Sequence, residues 1–372
     1  LGIDNPELLK VIDKLNRKKK KDHPTDDRPA VFIAGERPDL MNPGVIATPN
    51  IAINRALHGG LKRGTIHVFW GDSGTGKTTA GLEIIAGAQK AGGVGLYALS
   101  EGVFPIEQAR MVGVDLDSLI FIEGFAIAEE ALDMIIEFLV DKDTLVPRNV
   151  IDVAVIDSVA MLVPKAEMDK TMEDGIASQN IGLHARLMSR ATRDINPFLG
   201  KCAMVMINQD RVDINSYGGG KTQPGGRAMV FNPKVILKFS APKKDLIWEG
   251  TGASRHVVGH TVKLYVDKNN AGLGGHPHET AEYTVRYNVG TDNILLLFNV
   301  ALISKAIVEG SKSYYQFNMS KELLAPLGLW KSDGKVDEPL RLHGQDAVLA
   351  AIKSSDVLIE AIKASLEESK DG

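Results

Sequence analysis

One cysteine, Cys202, stands in 372 residues; aromatics make up only 6%, and no apolar run approaches the length of a bilayer span. The lone thiol excludes an internal disulfide framework and fits a reducing compartment. Lying inside the apolar run CAMVMI, it reads as a buried structural thiol. Lack of a spanning run and of a signal-peptide core makes a cytoplasmic location the expectation, with no membrane partner. A charge excess is missing too, since 43 Lys and Arg face 47 Asp and Glu for a formal net charge of −4. That near-balance argues against coating a polyanion by bulk attraction, and leaves local basic loops open. What remains, 44% hydrophobic and 24% charged, is an ordinary globular composition with room for one large core and small appendages.

Against that background one stretch stands out. Gly71-Asp72-Ser73-Gly74-Thr75-Gly76-Lys77-Thr78 satisfies the phosphate-binding pattern G-x-x-x-x-G-K-[ST] at every fixed position. The apolar run Thr65–Trp70 predicts a strand leading in, and Thr79–Ala91 predicts a helix leading out, which is the context the motif requires. Glycines at 71, 74 and 76 allow successive N–H groups to turn toward phosphate oxygens, and the helix adds its positive end. Lys77 would place a charge on the β- and γ-phosphates of ATP, and the Thr78 hydroxyl would take one site on Mg²⁺.

Along the chain, residues 6–20 predict a short amphipathic helix with Leu8, Val11, Ile12 and Leu15 on one face, ending in the cationic run Arg17–Lys21. A lone amphipathic helix on a linker needs a partner surface, its own core or a neighbouring subunit. Gly95–Ser100, Val153–Asp157 and Cys202–Ile207 read as strands that are apolar throughout, alternating with helical segments such as Glu129–Val140. This pattern predicts an α/β fold with a mostly parallel sheet covered on both faces. In such sheets ligands sit at the carboxyl ends of strands, so Lys77, Glu101, Asp157 and Gln209, each directly following an apolar run, are expected to share one cleft. Asp157 suits a carboxylate that holds Mg²⁺, Glu101 a base for the attacking water, and Gln209 a sensor of the γ-phosphate.

At these positions the chain resembles the RecA/UvsX family of homologous-recombination ATPases. The likeness continues through the block Asp157–Glu167 (DSVAMLVPKAE) and the block Ile181–Ser189 (IGLHARLMS). It implies an N-terminal oligomerisation helix and linker over 1–30, a RecA-like ATPase core over 31–302 and a small C-terminal α/β module over 303–372. It also implies that the two loops at 168–180 and 210–227 hold single-stranded DNA within a self-assembled helical filament, with homologous duplex DNA as second partner. On this resemblance Ile181, Arg186, Ser189 and Arg193, then Arg211, Ile214, Gly225, Gly226 and Arg227, contact nucleic acid. Spacing alone places 186, 189 and 193 on one helix face. Thr79 completes the phosphate loop set, Tyr287 matches a tyrosine that packs on the nucleobase, and Phe231 matches an aromatic at the subunit boundary. Lys268 matches a lysine given to the neighbour's γ-phosphate. Two positions depart from the bacterial pattern: Val266 replaces a second lysine, with Lys263 on the same run, and Gln108 replaces the other base-side tyrosine. These departures lean toward a phage-like member.

The expected activity is ATP-dependent homologous pairing and strand exchange. Two other readings share the motifs. A RecA-fold hexameric helicase has the same phosphate loop and Glu, although this chain shows no large N-terminal helical domain and no duplicated core. A non-enzymatic filament or mediator protein would carry a vestigial site, against which the set Lys77, Thr78, Glu101 and Asp157 speaks.

Overall fold

A computed structural model describes residues 5–24, 26, 28–37, 42–174, 182–212, 221–222, 224–272, 279–287, 289–333 and 336–368. The chain divides into two compact units, the first of residues 1–49, 53–242 and 262–281, the second of 50–52, 243–261 and 282–372.

The first unit begins with α1 (Pro6–Asp22), capped by the Asn5 side chain and carrying no buried residue. Asn16 ties it to the following linker by bonding Ala30 N and Val31 O, each at 2.8 Å. The core alternates β1 (Ile66–Gly71), α2 (Lys77–Lys90), β2 (Gly95–Leu99), α3 (Ile106–Met111), β3 (Leu119–Ile122), α4 (Ala128–Leu139) and β4 (Val153–Asp157). It continues through α5 (Lys165–Asp174), α6 (Leu183–Ile195), β5 (Ala203–Gln209), α7 (Ala228–Phe231), β6 (Val235–Ser240) and residues 262–269 of β8 (His256–Asn269); β7 (Leu246–Glu249) and the start of β8 are counted with the second unit. Strands run in the order β3-β2-β4-β5-β1-β6-β8, every neighbouring pair parallel up to β6, and β8 antiparallel to it. Every residue of β1 and β4 is buried, as a sheet covered on both faces demands. One face packs Ile66, Val68, Leu96, Ile156 and Met206 against Leu132 and Ile135 of α4 and Met188 and Ile195 of α6.

At the amino ends of the strands, Asp152 is buried and paired. Its carboxylate meets Arg63 Nη1 at 2.6 Å and Lys201 Nζ at 3.0 Å, and accepts the Val94 N–H at 3.0 Å. Burial raises its pKa, but the Val94 N–H and the two cations outweigh it, so the net shift is downward. Because the folded value is depressed, this contribution is present above the unfolded pKa and lost as pH falls through the folded one. Asp152→Ala is expected to cost about 3 kcal/mol, the low end for breaking a buried pair because Lys201 is partly exposed. Chemical denaturation at neutral pH measures it, and an unchanged midpoint would refute it.

Cys202 is buried, and burial pushes its thiol up to about 12, as expected of a structural cysteine. One expectation is corrected. Residues 168–174 belong to α5 rather than to a loop: the helix begins at Lys165, after Pro164. In the second unit the C-terminal segment folds as two helices, α9 (Gln345–Lys353) and α10 (Asp356–Glu368), following α8 (Asn293–Ile303). The break falls at Ser354-Ser355, where the Ser355 hydroxyl accepts the Leu358 N–H at 3.2 Å and starts the second helix. Val348, Ile352, Leu358 and Ile362 are all fully buried with Leu297 and Phe317.

Candidate nucleotide site and nucleic-acid face

β2, β4, β5 and β1 are adjacent, and their carboxyl ends bring together the residues the sequence singled out. β1 enters the phosphate loop at Gly71, where a Cβ would stand 2.1 Å from the Phe239 carbonyl oxygen of β6 and φ is 143°. Only glycine fits there. Asp72, Ser73 and Gly74 are exposed, and the Thr75 hydroxyl closes the turn on Asp72 O at 2.9 Å. No side chain caps the start of α2, which leaves its first N–H groups for an anion.

Lys77 is buried, its Nζ donating to the carbonyls of Gly71 at 2.8 Å and Asp72 at 2.5 Å. Burial lowers its pKa, opposed by the charges of Asp157, Asp210, Asp72 and Glu101. Thr78 Oγ1 donates to Asp157 Oδ2 at 2.7 Å, so the two candidate metal groups are in contact. Among the described residues no cluster of three or more His, Cys, Asp or Glu stands ready for a metal. A hydroxyl beside one carboxylate fits Mg²⁺ held largely by nucleotide oxygens and water, and does not make a self-sufficient protein cage.

Across the cleft Gln209 Nε2 donates to Glu101 Oε1 at 2.5 Å. Burial raises the Glu101 pKa first and the charge of Asp157 second, against the Gln209 bond and Lys77. Beside Gln209, Asn208 Nδ2 donates to Pro224 O at 2.9 Å, which anchors the return of the second loop to the end of β5. Thr79 accepts a bond from Gln108 Nε2 at 2.6 Å, so the residue in the place of a base-side tyrosine is fixed to the first turn of α2.

Lys268 is not bonded to the phosphate loop of its own chain. Its Nζ donates to the carbonyls of Val230 at 3.0 Å and Phe231 at 2.8 Å, and burial first, then Lys234, lowers its pKa. The pairing of β6 with β8 explains the orientation. Leu237 faces Val266 but Ile236 faces Lys268, so Asp267 is the extra residue of a bulge. The bulge turns Lys268 to the face opposite the fully buried Val266. Phe231 beside it is 69% exposed, which excludes a core role. Tyr287, in the second unit, is half-exposed with its ring 5.6 Å from that of His260.

On α6, Met188, Ala191, Thr192 and Ile195 are buried, leaving Arg186, Ser189 and Arg193 exposed on the other side. Arg190 shares that face, a residue the sequence reading passed over although it lies at i+4 from Arg186. Arg190 and Arg193 both approach Asp194 at 3.3 Å. The second loop returns beside this helix: a Cβ on Gly226 would stand 2.9 Å from Ala185 Cβ, and Arg227 is exposed at the start of α7. Gly225 is buried against Met229. Arg211 begins a two-residue strand paired with Lys221–Thr222. Ile181 and Ile214 lie outside the described residues.

A parallel sheet with a buried lysine in a glycine loop, and a Thr bonded to the Asp that ends β4, one strand beyond β1's neighbour β5, defines a P-loop protein. The chain belongs, more narrowly, to the RecA family: the RecA N-terminal domain model matches residues 27–292. It is 33% identical to Protein RecA of Clostridium acetobutylicum over 319 residues, 85% of this chain and 84% of that one. To Protein RecA of Azospirillum lipoferum it is 34% identical over 335 residues, 89% of this chain and 86% of that one. Among solved structures it is similar to the crystal structure of the RadB recombinase, with a TM-score of 0.47 and 15% identity over 66% of this chain and 98% of that one. Among the described residues no helix is long and apolar enough to cross a membrane.

Proposed function

We propose that this chain is a DNA-dependent ATPase that assembles on single-stranded DNA and promotes homologous pairing and strand exchange. The observation that carries the reading is the bond between Glu101 and Gln209, with Asn208 next to it gripping the second loop. One strand end therefore connects the candidate hydrolytic base to the candidate DNA-holding segment. ATP binds with its phosphates in the loop 71–78 and Mg²⁺ beside Thr78 and Asp157, and Glu101 draws a proton from the attacking water. Arrival of the γ-phosphate competes for Gln209, and its loss returns Gln209 to Glu101, so nucleotide state reaches residues 210–227.

Self-assembly has two supports in the first unit. α1 leaves Leu8, Leu9, Val11 and Leu15 between 39% and 53% exposed, an apolar stripe that a second copy would cover. Exposed Phe231 and half-buried Lys268 form a second patch, in which Lys268 would leave the carbonyls of residues 230 and 231 for a neighbour's phosphate.

The test is ATP turnover with and without single-stranded DNA, together with Arg186→Ala and Arg227→Ala. Phosphate contacts carry little sequence information, so each variant is expected to weaken DNA binding uniformly across sequences. Each should also lower the log–log salt slope by about 1, with ATP affinity retained. Unchanged DNA affinity in both variants rejects the nucleic-acid face. Unwinding of forked duplexes by closed rings would favour the helicase reading.

A further inference from the structure

Asp157 receives two hydroxyls on one oxygen. Besides Thr78, the Tyr97 hydroxyl donates to Oδ2 at 2.7 Å, from a side chain of 0% exposure in the middle of β2. The ring of Tyr97 is held by Phe104, edge-on at 5.2 Å, and by Phe121, stacked at 6.3 Å, which contact each other at 4.8 Å. Tyr97 is thus fixed in a packed aromatic cluster, and its only polar atom is spent on the carboxylate. With both bonds on Oδ2, the carboxylate cannot rotate without losing one or both. Its other oxygen, Oδ1, is thereby fixed in direction.

We propose that Tyr97 is a positioning residue for the divalent cation that accompanies the nucleotide, orienting Asp157 through a hydroxyl buried behind it. The inference rests on the nucleotide-site reading above. Groups behind a metal's carboxylate set its direction and basicity, and their removal typically costs about 10–100-fold in metal affinity. Tyr97→Phe deletes the hydroxyl and leaves the ring in its cluster, so packing is conserved.

The experiment titrates Mg²⁺ into the full chain with a fluorescent ADP analogue and follows nucleotide binding, with no turnover required. In Tyr97→Phe the half-saturating Mg²⁺ should rise about tenfold while metal-free nucleotide affinity stays at the wild-type value. In an Asp157→Asn background the same change should add nothing further. An unchanged Mg²⁺ requirement, an equal loss with and without metal, or an effect that simply adds to Asp157→Asn would each overturn the role. If wild-type protein shows no Mg²⁺-dependent nucleotide binding, the site reading itself has failed, an outcome distinct from the others.

Discussion

Lys77→Ala should lose ATP turnover by at least roughly 10²–10³-fold, the scale of removing one preorganised charge from a developing anion, while the chain remains folded. The side chain is buried at the base of an open loop, with its charge already partly desolvated and its pKa lowered for that reason. An ammonium in that state interacts with a triphosphate far more strongly than one in bulk water, because the surrounding dielectric is low. The fold does not need it. Its acceptors, Gly71 O, Asp72 O and the Thr75 hydroxyl at 3.5 Å, belong to the loop itself, and Asp72 is exposed to water that can replace the lost donor. Removing the ammonium also removes the cost of burying it. Steady-state hydrolysis with a thermal melt on the same sample checks both halves. Full activity in the variant would remove the phosphate loop from the mechanism, and an unfolded variant would show that Lys77 is structural.

Much of this site was legible because its signals are local. The phosphate loop is contiguous, and β1, β2, β4 and β5 are apolar runs whose ends can be read one by one. Val153–Asp157 is a strand with the bounds the sequence predicts. What escaped is what tertiary pairing decides. A lysine two residues after Val266 should by alternation share its face, yet the bulge at Asp267 sends Lys268 to the other. Nothing in the run TVKLYV or its neighbours marks that insertion, since it exists only relative to the partner strand. Tyr97 reads as one more apolar position in a buried strand, and its hydroxyl acquires meaning only because β4 lies alongside with Tyr97 opposite Val155, two residues from Asp157. The helix over 165–174 was missed for another reason. Its charged sequence has little apolar periodicity, so nothing in the pattern of residues marks it as a helix against the loop that the resemblance implied.

Glu101→Gln is the sharper probe of chemistry. The amide is isosteric and its carbonyl oxygen can still accept from Gln209 Nε2, so the contact at 2.5 Å between residues 101 and 209 survives. Only proton acceptance is lost, and turnover should fall roughly 10²–10⁴-fold, the range for a positioned general base, with nucleotide-dependent DNA binding retained. In the wild type, burial and then Asp157 hold the Glu101 pKa above the ordinary carboxylate range. Turnover should therefore rise with pH through that raised value, as the ionised fraction of Glu101 grows. Stability moves the opposite way. A folded pKa above the unfolded one means that the protonated carboxyl favours the folded state, a contribution present at low pH and lost as pH rises through the folded value. The Gln variant cannot ionise, so its melting temperature should lack that decline while its residual activity lacks the rise. The two pH profiles, taken on one pair of proteins, separate a base at position 101 from a carboxylate that merely holds Gln209. If activity in Glu101→Gln stays near wild type, the proton leaves by another group and Glu101 acts only as the partner of the sensor.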